Sequence, residues 1–444
     1  MLSVLAHPAY RRLFSAQIVA LLGTGLLTIA LGLLAFDLAG NAAGTVLGTA
    51  FAIKMIAYVG LAPLAQALAA RLPRKAVLIA ADLVRAGVAL SLPFIDAIWQ
   101  IYLLIFVLQA ASATFTPAFQ AVIPDILADE RDYTRALSLS RLAYDLENIL
   151  SPAIAGVLLL FIAYSGLFVG TTIGFLASAL LVLTTPLPPR SQAERQRPFR
   201  ERLTRGIRIY LATPRLRGLL ALNMAAAAAG AFVLVNSVVM VRGQYGLDDA
   251  GLAVAMGAFG AGSMATALLL PRLLDRLDDR PVMIAAGLAL GGLTLAHGLY
   301  LATSGLLAWG GFLVAWALSG ALYSAVLTPS GRLLRLSAHA EDRPSLFAAQ
   351  FALSHACWLV TYPIAGWLGA AAGLPFTMAV LGVIALASAA AAIRIWPQGD
   401  RDPLAHSHDD LPPGHPHLEA HGGRRRHAHV FVIDDEHHAW PTQG

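Results

Sequence analysis

Residues 13–36 read LFSAQIVALLGTGLLTIALGLLAF, a run without a single charged side chain. A helix needs about 20 predominantly apolar residues to cross a bilayer, because each residue adds about 1.5 Å to a path of about 30 Å. The run follows Arg11 and Arg12, exceeds the apolar core of a signal peptide, and precedes no convincing small-residue cleavage site. We therefore expect the first membrane helix here rather than a cleaved leader.

The whole chain shares this apolar character. Of its 444 residues, 57% are hydrophobic and 13% are charged, whereas soluble domains have about 45–50% and about 25%. The apolar residues form long runs, which indicate helices that are apolar all round. The single cysteine, Cys357, excludes an internal disulfide and a site of several thiolates. The net charge of +5 rests on arginines between the runs, so it indicates membrane topology rather than nucleic-acid binding.

Twelve such runs can be counted, six on each side of a polar, arginine-rich stretch. They lie at 13–36, 45–70, 76–95, 98–119, 135–162, 166–185, 217–241, 250–270, 281–302, 306–328, 345–370 and 374–396. We predict an all-α membrane protein with twelve transmembrane helices in two six-helix bundles. The expected domains are an N-terminal bundle at 1–185, a linker at 186–216, a C-terminal bundle at 217–396 and a disordered, histidine-rich tail at 397–444.

The basic residues predict the orientation, because cytoplasmic loops carry an excess of lysine and arginine. One set of loops holds Arg71, Arg74, Lys75, Arg131, Arg272, Arg276, Arg280, Arg332, Arg335 and Arg343, and the linker adds Arg190, Arg195, Arg197, Arg200, Arg202, Arg205, Arg208 and Arg215. The opposite loops hold only Arg242. We expect a multi-pass protein of the inner (plasma) membrane whose termini, linker and tail all face the cytoplasm.

The two halves repeat each other at an offset near 206–212 residues. ATFTPAFQ, with Pro117, matches SAVLTPSG, with Pro329, and SPAIAG, with Pro152, matches YPIAG, with Pro363. Two bundles of the same orientation indicate duplication about an axis along the membrane normal. A substrate would then bind between the halves, near the middle of the membrane.

Two loops carry a family resemblance. Residues 66–75 read QALAARLPRK and residues 271–280 read PRLLDRLDDR. Both resemble G-x-L-x-D-R-x-G-R-R, the signature between helices 2 and 3 of the major facilitator superfamily. The glycines are replaced in both loops, and the aspartate is replaced in the first loop only. The resemblance covers roughly residues 1–400 and implies alternating access. It also implies a gating role for Arg71, Arg74, Lys75, Asp275, Arg276 and Arg280.

A second motif bears on the direction of transport. NILSPAIAG, residues 148–156, is similar to the Gly-Pro motif of proton antiporters in this superfamily that work as exporters, with Pro152 and Gly156 in place. A kinked helix in any carrier is the alternative interpretation. The sequence holds no Walker-type phosphate loop. We therefore expect an ion gradient, most simply of protons, to drive transport, and we expect no cofactor.

Ionisable residues inside the predicted spans are costly, at about 2.5–3.5 kcal/mol each at the bilayer centre, so they call for partners or a purpose. Asp82, Arg85, Arg141 and Asp145 are expected to form a charge network near the cytoplasmic side. Lys54 and Glu147 lie deeper, and we expect Glu147 to couple transport to protons or cations. The candidates for transport and coupling are Lys54, Asp145, Glu147, His297 and His355.

The tail holds nine of the thirteen histidines: His406, His408, His415, His417, His421, His427, His429, His437 and His438. Neutral imidazole with nearby carboxylate suits nickel, cobalt or zinc, and the lack of thiols disfavours copper(I). The apolar run Val430–Ile433 could dock onto the rest of the protein. A low-complexity tail without a metal role stays open as the alternative.

These observations favour a proton-coupled exporter of a divalent metal. A facilitator-type body with a histidine-rich tail resembles the bacterial nickel and cobalt resistance exporters, which implies a tail that collects or senses metal. Two alternatives remain, an exporter of drugs, siderophores or other small organic molecules, and a transport-inactive membrane sensor of metal. An enzyme is not expected, because the sequence shows no nucleophile–base or metal-hydrolase motif.

Overall fold

The computed structural model describes residues 2–61, 73–127, 129–187, 199–274, 276–339, 342–399, 403–408, 412, 414–420 and 424–441. Helices form most of it. The first half contains α1 Pro8–Ala39, α2 Ala43–Ile56, α3 Arg74–Ser91, α4 Ile98–Ile126, α5 Glu130–Leu159 and α6 Tyr164–Thr184. A turn of π-helix, Ala57–Leu61, extends α2.

A shorter helix, α7 Phe199–Ala212, lies in the predicted linker. The second half contains α8 Pro214–Val238, α9 Asp249–Leu274, α10 Asp279–Ser304, α11 Trp309–Leu327, α12 Ser330–Leu336, α13 Arg343–Pro363, α14 Gly369–Ala372 and α15 Leu374–Ile395. Turns of π-helix at Val239–Gln244 and Ile364–Leu368 extend α8 and α13. Apart from the short helices α12 and α14, the second half therefore contains six helices in the same order as the first.

The predicted membrane spans are confirmed. Nine stretches of the described residues are long and apolar enough to cross a bilayer, and the first, Pro8–Gly60, holds both α1 and α2 around a turn at Gly40. The more polar α5 and α13 complete six spans in each half. Part of the predicted span 45–70 lies outside the described residues.

The outer and inner faces follow from residue size and polarity. Large apolar side chains such as Ile173 on α6 and Val383 on α15 are more than half exposed, as expected where lipid replaces water. By contrast α8 is buried along most of its length, because alanines at 225–229 let neighbouring helices approach closely. It packs against α10, α11, α13 and α15 of its own bundle and against α2 of the other.

The tail differs from the predicted disorder. Two short strands, β1 Pro403–Ser407 and β2 Arg426–Val430, pair antiparallel, and a helical turn, α16 Pro416–Ala420, lies between them in the chain. The predicted docking of the run Val430–Ile433 is confirmed, because Phe431 and Ile433 join the main hydrophobic core. Burial of these apolar side chains against the helical body stabilises a segment whose composition alone could not form a core.

Candidate functional site

The two bundles meet along a tight seam between α2 and the turn after α13. A Cβ added at Gly48 would lie 2.7 Å from the carbonyl oxygen of Tyr362, and one added at Gly366 would lie 2.3 Å from that of Gly44. Only glycine allows backbones to approach this closely. The seam lies toward the end of the bundle that the arginine distribution predicts to be extracellular.

Polar contacts join the bundles at the same end. The indole Nε1 of Trp367 donates a hydrogen bond to Thr49 Oγ1 at 2.9 Å. The Arg242 guanidinium pairs with Asp37 at 2.9 Å and with Asp249 at 3.2 Å. Asp37 belongs to α1 and Asp249 to α9, so one arginine bridges the halves. Any path between the bundles is closed at this end.

Deeper between the bundles lie three of the predicted coupling residues. The Lys54 ammonium lies 5.8 Å from the centre of the Tyr58 ring, and it is close enough to the Glu147 carboxylate for the two charges to attract. The Tyr58 ring packs edge-on against His355, with ring centres 5.3 Å apart. Lys54 lies on α2 and Tyr58 on the π-helical turn that extends it, whereas Glu147 lies on α5 and His355 on α13. Residues of both halves therefore meet at this point.

Aromatic rings continue from this point through the interface. Tyr362 contacts Phe51 across the seam at 5.0 Å and Trp358 at 4.9 Å, and Tyr323 lies next to Trp358 at 6.3 Å. Phe259 on α9 packs against Tyr323 at 5.8 Å. These residues were not predicted from the sequence, although the spacing of Trp358 and Tyr362 at i and i+4 on α13 was a readable signal. They form an apolar wall with hydroxyl and indole groups that can hydrogen-bond.

The structure places His297 away from the interface. Its ring packs edge-on against Phe312 at 6.3 Å and Trp316 at 5.7 Å, within the second bundle. The Trp316 indole in turn donates a hydrogen bond to Ser237 Oγ at 2.8 Å. In this position His297 packs helices together, so it is separated from Lys54, Glu147 and His355.

The charge network that was predicted near the cytoplasmic side is present in part. Arg85 forms an ion pair with Asp82, whose second oxygen accepts a hydrogen bond from Ser178 Oγ at 2.7 Å. The guanidinium also lies over the ring of Phe115 at 4.3 Å. This pair holds α3, α4 and α6 together. The side chains of Arg141 and Asp145 lie outside the described residues.

The loop residues predicted to gate the carrier have matching contacts in the two halves. Lys75 Nζ donates to the carbonyl of Thr185 at 3.0 Å, just past the end of α6. Arg280 Nε donates to the carbonyl of Trp396 at 2.7 Å, just past the end of α15. A cation at the carboxyl end of a helix satisfies free carbonyls and interacts favourably with the helix dipole. Arg276 is exposed at the end of α9, Arg74 begins α3, and Arg71 and Asp275 lie outside the described residues.

Six tail histidines converge on one point. They are His406, His408, His417, His427, His429 and His437. In two overlapping sets of four, the ligand nitrogens lie within 4.8 Å of one another, and both sets contain His406 and His417. The Nε2 atoms of His417 and His427 are 3.1 Å apart, and those of His406 and His437 are 3.2 Å apart.

The strand register explains this convergence. His406 and His408 are two residues apart along the β1 segment, and His427 and His429 are two apart on β2, so each pair projects on one face. His406 lies directly opposite His427 in the antiparallel ladder. The H-x-H spacing therefore indicates a strand face as well as a ligand set, and the two strands were not predicted from the sequence.

Hydrogen bonds orient these rings toward the centre. Nδ1 of His406 contacts the carbonyl of Leu404 at 2.9 Å, and Nδ1 of His427 contacts that of Arg424 at 3.0 Å. Nδ1 of His437 contacts Asp434 at 2.7 Å. Partners of this kind fix the tautomer of a metal-ligating imidazole and leave Nε2 to bind the ion.

Burial keeps two rings of the cluster, His406 and His417, neutral near pH 7. Burial lowers the pKa of His406 and of His417 to about 4, and neighbouring imidazoles lower both further. Burial alone would raise the pKa of Asp434, but hydrogen bonds and charge from His437 outweigh it and hold that pKa well below its usual range. Neutral imidazoles need not lose a proton before they bind a metal ion.

The remaining predicted metal ligands lie outside this centre. His415 accepts a hydrogen bond from the backbone of His417 at 3.3 Å and belongs to neither set of four among the described residues. His438 is exposed, and His421 lies outside the described residues.

Ionic contacts fix the cluster to the helical body. Arg205 on α7 binds both oxygens of Asp342, which precedes α13, and also pairs with Asp435 of the tail. Asp434 contacts His339 at 3.2 Å in addition to His437. Asp434 and Asp435 therefore connect the cluster with the second bundle, and Asp434 also forms a possible metal-binding group with Glu436 and His437.

Comparisons with known proteins agree with this architecture. The family model of the Major Facilitator Superfamily matches residues 13–310 and 220–416. An uncharacterized MFS-type transporter, YfiS of Bacillus subtilis (strain 168), is 25% identical over 343 residues, which cover 76% of this chain and 81% of that protein. Macrolide efflux protein A of Streptococcus pyogenes is 27% identical over 151 residues, which cover 33% of this chain and 36% of that protein.

Solved structures share the fold at low identity. A D-xylose-proton symporter superposes with a TM-score of 0.68 and 15% identity, over 88% of this chain and 98% of that one. A bacterial homologue of the human lysosomal transporter Spinster, inward-facing and unoccupied, superposes with a TM-score of 0.67 and 13% identity, over 87% of this chain and 97% of that one. The family match spans most of the residues that form the two bundles, so the chain belongs to the Major Facilitator Superfamily.

Proposed function

We propose that this transporter exports a divalent transition metal from the cytoplasm in exchange for protons, with nickel or cobalt as the leading substrates. The observation that carries this proposal is the convergence of six tail imidazoles, with the Nδ1 atoms of His406, His427 and His437 oriented by carbonyl and carboxylate groups. Imidazole sites without thiolates favour nickel, cobalt or zinc. Zinc usually takes four ligands, whereas six converging rings can also serve ions with a higher coordination number.

The tail collects or senses the ion and does not carry it across. It lies next to the predicted cytoplasmic ends of the second bundle, in contact with α7 and the segment before α13. An exporter takes up its cargo on that side. We also propose that the domains have the predicted boundaries, that the protein lies in the inner membrane, and that both termini face the cytoplasm.

Protons enter the proposal through Glu147. A carboxylate between the bundles, attracted by Lys54, can release its proton on one side of the membrane and take one up on the other. Lys54 and Glu147 attract each other, and an ion that competes with Lys54 would weaken that attraction. A proton competes for this carboxylate with a cation, either the Lys54 ammonium or the substrate. Such competition for one carboxylate would produce antiport.

Transport into inside-out vesicles tests both parts of the proposal. With an acidic lumen, the wild-type protein is expected to accumulate radiolabelled nickel or cobalt, and Glu147→Gln is expected to abolish the response to the pH gradient. Asp96→Asn, which removes an exposed carboxylate in a loop of the same bundle, serves as the control. If neither metal enters in a gradient-dependent way, metal export is ruled out.

Export of small organic molecules is the second candidate. The wall formed by Phe51, Tyr362, Trp358 and Tyr323 suits an apolar or aromatic solute better than a hydrated cation. The similarity to a macrolide efflux protein over part of the chain supports the same candidate. Gradient-dependent uptake of a macrolide, with none of either metal, would favour it, and no flux of any kind would favour a metal sensor.

A further inference from the structure

Helices α9 and α11 touch backbone to backbone at one crossing point. A Cβ added at Gly262 would lie 1.8 Å from the carbonyl oxygen of Ala317, and one added at Gly320 would lie 1.9 Å from that of Phe259. Small residues at such a crossing allow helices to pack without intervening side chains. Next to this crossing the surface of the second bundle forms a groove.

This α9–α11 groove has a volume of about 1190 Å³. It is lined by Gly262, Ala265, Thr266, Leu269, Leu270, Arg272, Leu273, Arg276, Val314, Ala317, Leu318 and Ala321. Leu269 is 61% exposed and Val314 is 59% exposed. Large aliphatic side chains that are exposed on a membrane-spanning helix are suited to contact with lipid, which supports a groove that opens to the bilayer.

The length and the charge of the groove match one leaflet. From Gly262 to its end at Leu274 the α9 wall extends for about 18 Å at about 1.5 Å per residue, compared with about 15 Å for half of the hydrocarbon core. Arg272 and Arg276, four residues apart, line its outer end, where α9 ends at Leu274. The groove is therefore apolar along its length and positively charged at the depth of the lipid headgroups.

We propose that the α9–α11 groove binds one anionic phospholipid of the leaflet predicted to be cytoplasmic. An acyl chain lies along Leu269, Leu273 and Leu318, and the phosphate accepts hydrogen bonds from Arg272 and Arg276. Guanidinium groups can bind phosphate through two parallel hydrogen bonds, and anionic headgroups attract basic residues near the membrane surface. This site is independent of what the protein transports.

Two variants separate the charge from the shape of the groove. Arg272→Gln with Arg276→Gln removes the charged end, and Ala321→Phe fills the apolar part without a change in charge. Arg335→Gln is the matched control: this arginine is also exposed on the predicted cytoplasmic side, but its Nε bonds to the carbonyl of Gly331 in its own helix and it does not line the groove.

Native mass spectrometry of the full-length protein with phosphatidylglycerol or phosphatidylcholine tests the site. Wild type and Arg335→Gln are expected to retain one phosphatidylglycerol in preference to phosphatidylcholine. The double arginine variant is expected to bind it at least tenfold more weakly, and Ala321→Phe is expected to lose it while its melting temperature shows an intact fold. Equal retention by the double variant, an equal loss in Arg335→Gln, or displacement by inorganic phosphate alone would overturn the proposal.

Discussion

Asp434 shows how one carboxylate serves two purposes. It accepts a hydrogen bond from His437, a proposed metal ligand, and contacts His339 of the helical body. The bond with His437 orients the ligand ring, and the contact with His339 fixes the position of that ring relative to the second bundle. Loss of such an orienting group commonly weakens metal binding about 10- to 100-fold.

Asp434→Asn is therefore expected to lower the affinity of the purified protein for nickel by at least tenfold in a calorimetric titration. The amide removes the negative charge that stabilises the ring. Asp435→Asn is the control, because Asp435 contacts Arg205 rather than the cluster. An unchanged affinity in Asp434→Asn would show that His437 is not a ligand.

The lowered pKa of His406 and of His417 predicts the pH dependence of the metal-free tail. These rings stay neutral in the folded tail down to about pH 4, whereas in an unfolded chain they take up protons below about pH 6.5. The unfolded tail thus binds more protons in that window, so the tail is expected to lose stability as the pH falls from 6.5 toward 4. Hydrogen exchange at residues 403–408 and 424–430, corrected for intrinsic rates, should show less protection at pH 5 than at pH 7.5.

At the scale of elements, the seam between α2 and the turn after α13 depends on glycine. Gly366→Ala would place a methyl group 2.3 Å from the carbonyl oxygen of Gly44. Overpacking of this kind costs about 1–3 kcal/mol, so we expect a lower melting temperature and a weaker closure of that end. Gly32→Ala on α1 is the control, because its Cβ would meet no described atom within 4 Å. A melting temperature equal to that of wild type would contradict close contact at the seam.

Apolar runs were sufficient to predict the helices, since a span about 20 residues long has few alternative structures in a bilayer. The ends of α5 and α13 were also found within a few residues, despite their polar content. The arrangement of the candidate site was harder to predict from the sequence. That Lys54, Glu147 and His355 come together, and that His297 does not, depends on how helices rotate about their axes, which periodicity does not fix in segments that are apolar all round.

At the scale of the whole molecule, Arg205 connects three segments that are distant in the chain. Its guanidinium joins α7 in the linker, Asp342 before α13 and Asp435 in the tail. Composition predicted a disordered tail because long-range contacts of this kind, and the burial of Phe431 and Ile433, do not appear in local sequence.

Arg205→Gln is expected to release the tail. Trypsin should then cleave at Arg424–Arg426 several times faster than in wild type, because β2 begins there and strand pairing protects the backbone. Arg208→Gln removes an exposed arginine of the same helix and serves as the control. If both variants are cleaved at the wild-type rate, the ionic contact does not hold the tail in place.

Trp440 gives the protein an internal optical reporter. Its ring contacts Phe431 at 5.2 Å, and Phe431 in turn contacts His437 at 4.7 Å and His406 at 5.0 Å. An open-shell nickel or cobalt ion held by those imidazoles would lie close enough to quench the indole emission, while zinc with its filled d shell would not. Occupancy of the cluster can thus be followed by fluorescence without a dye, with Trp440→Phe to identify the contribution of this one ring.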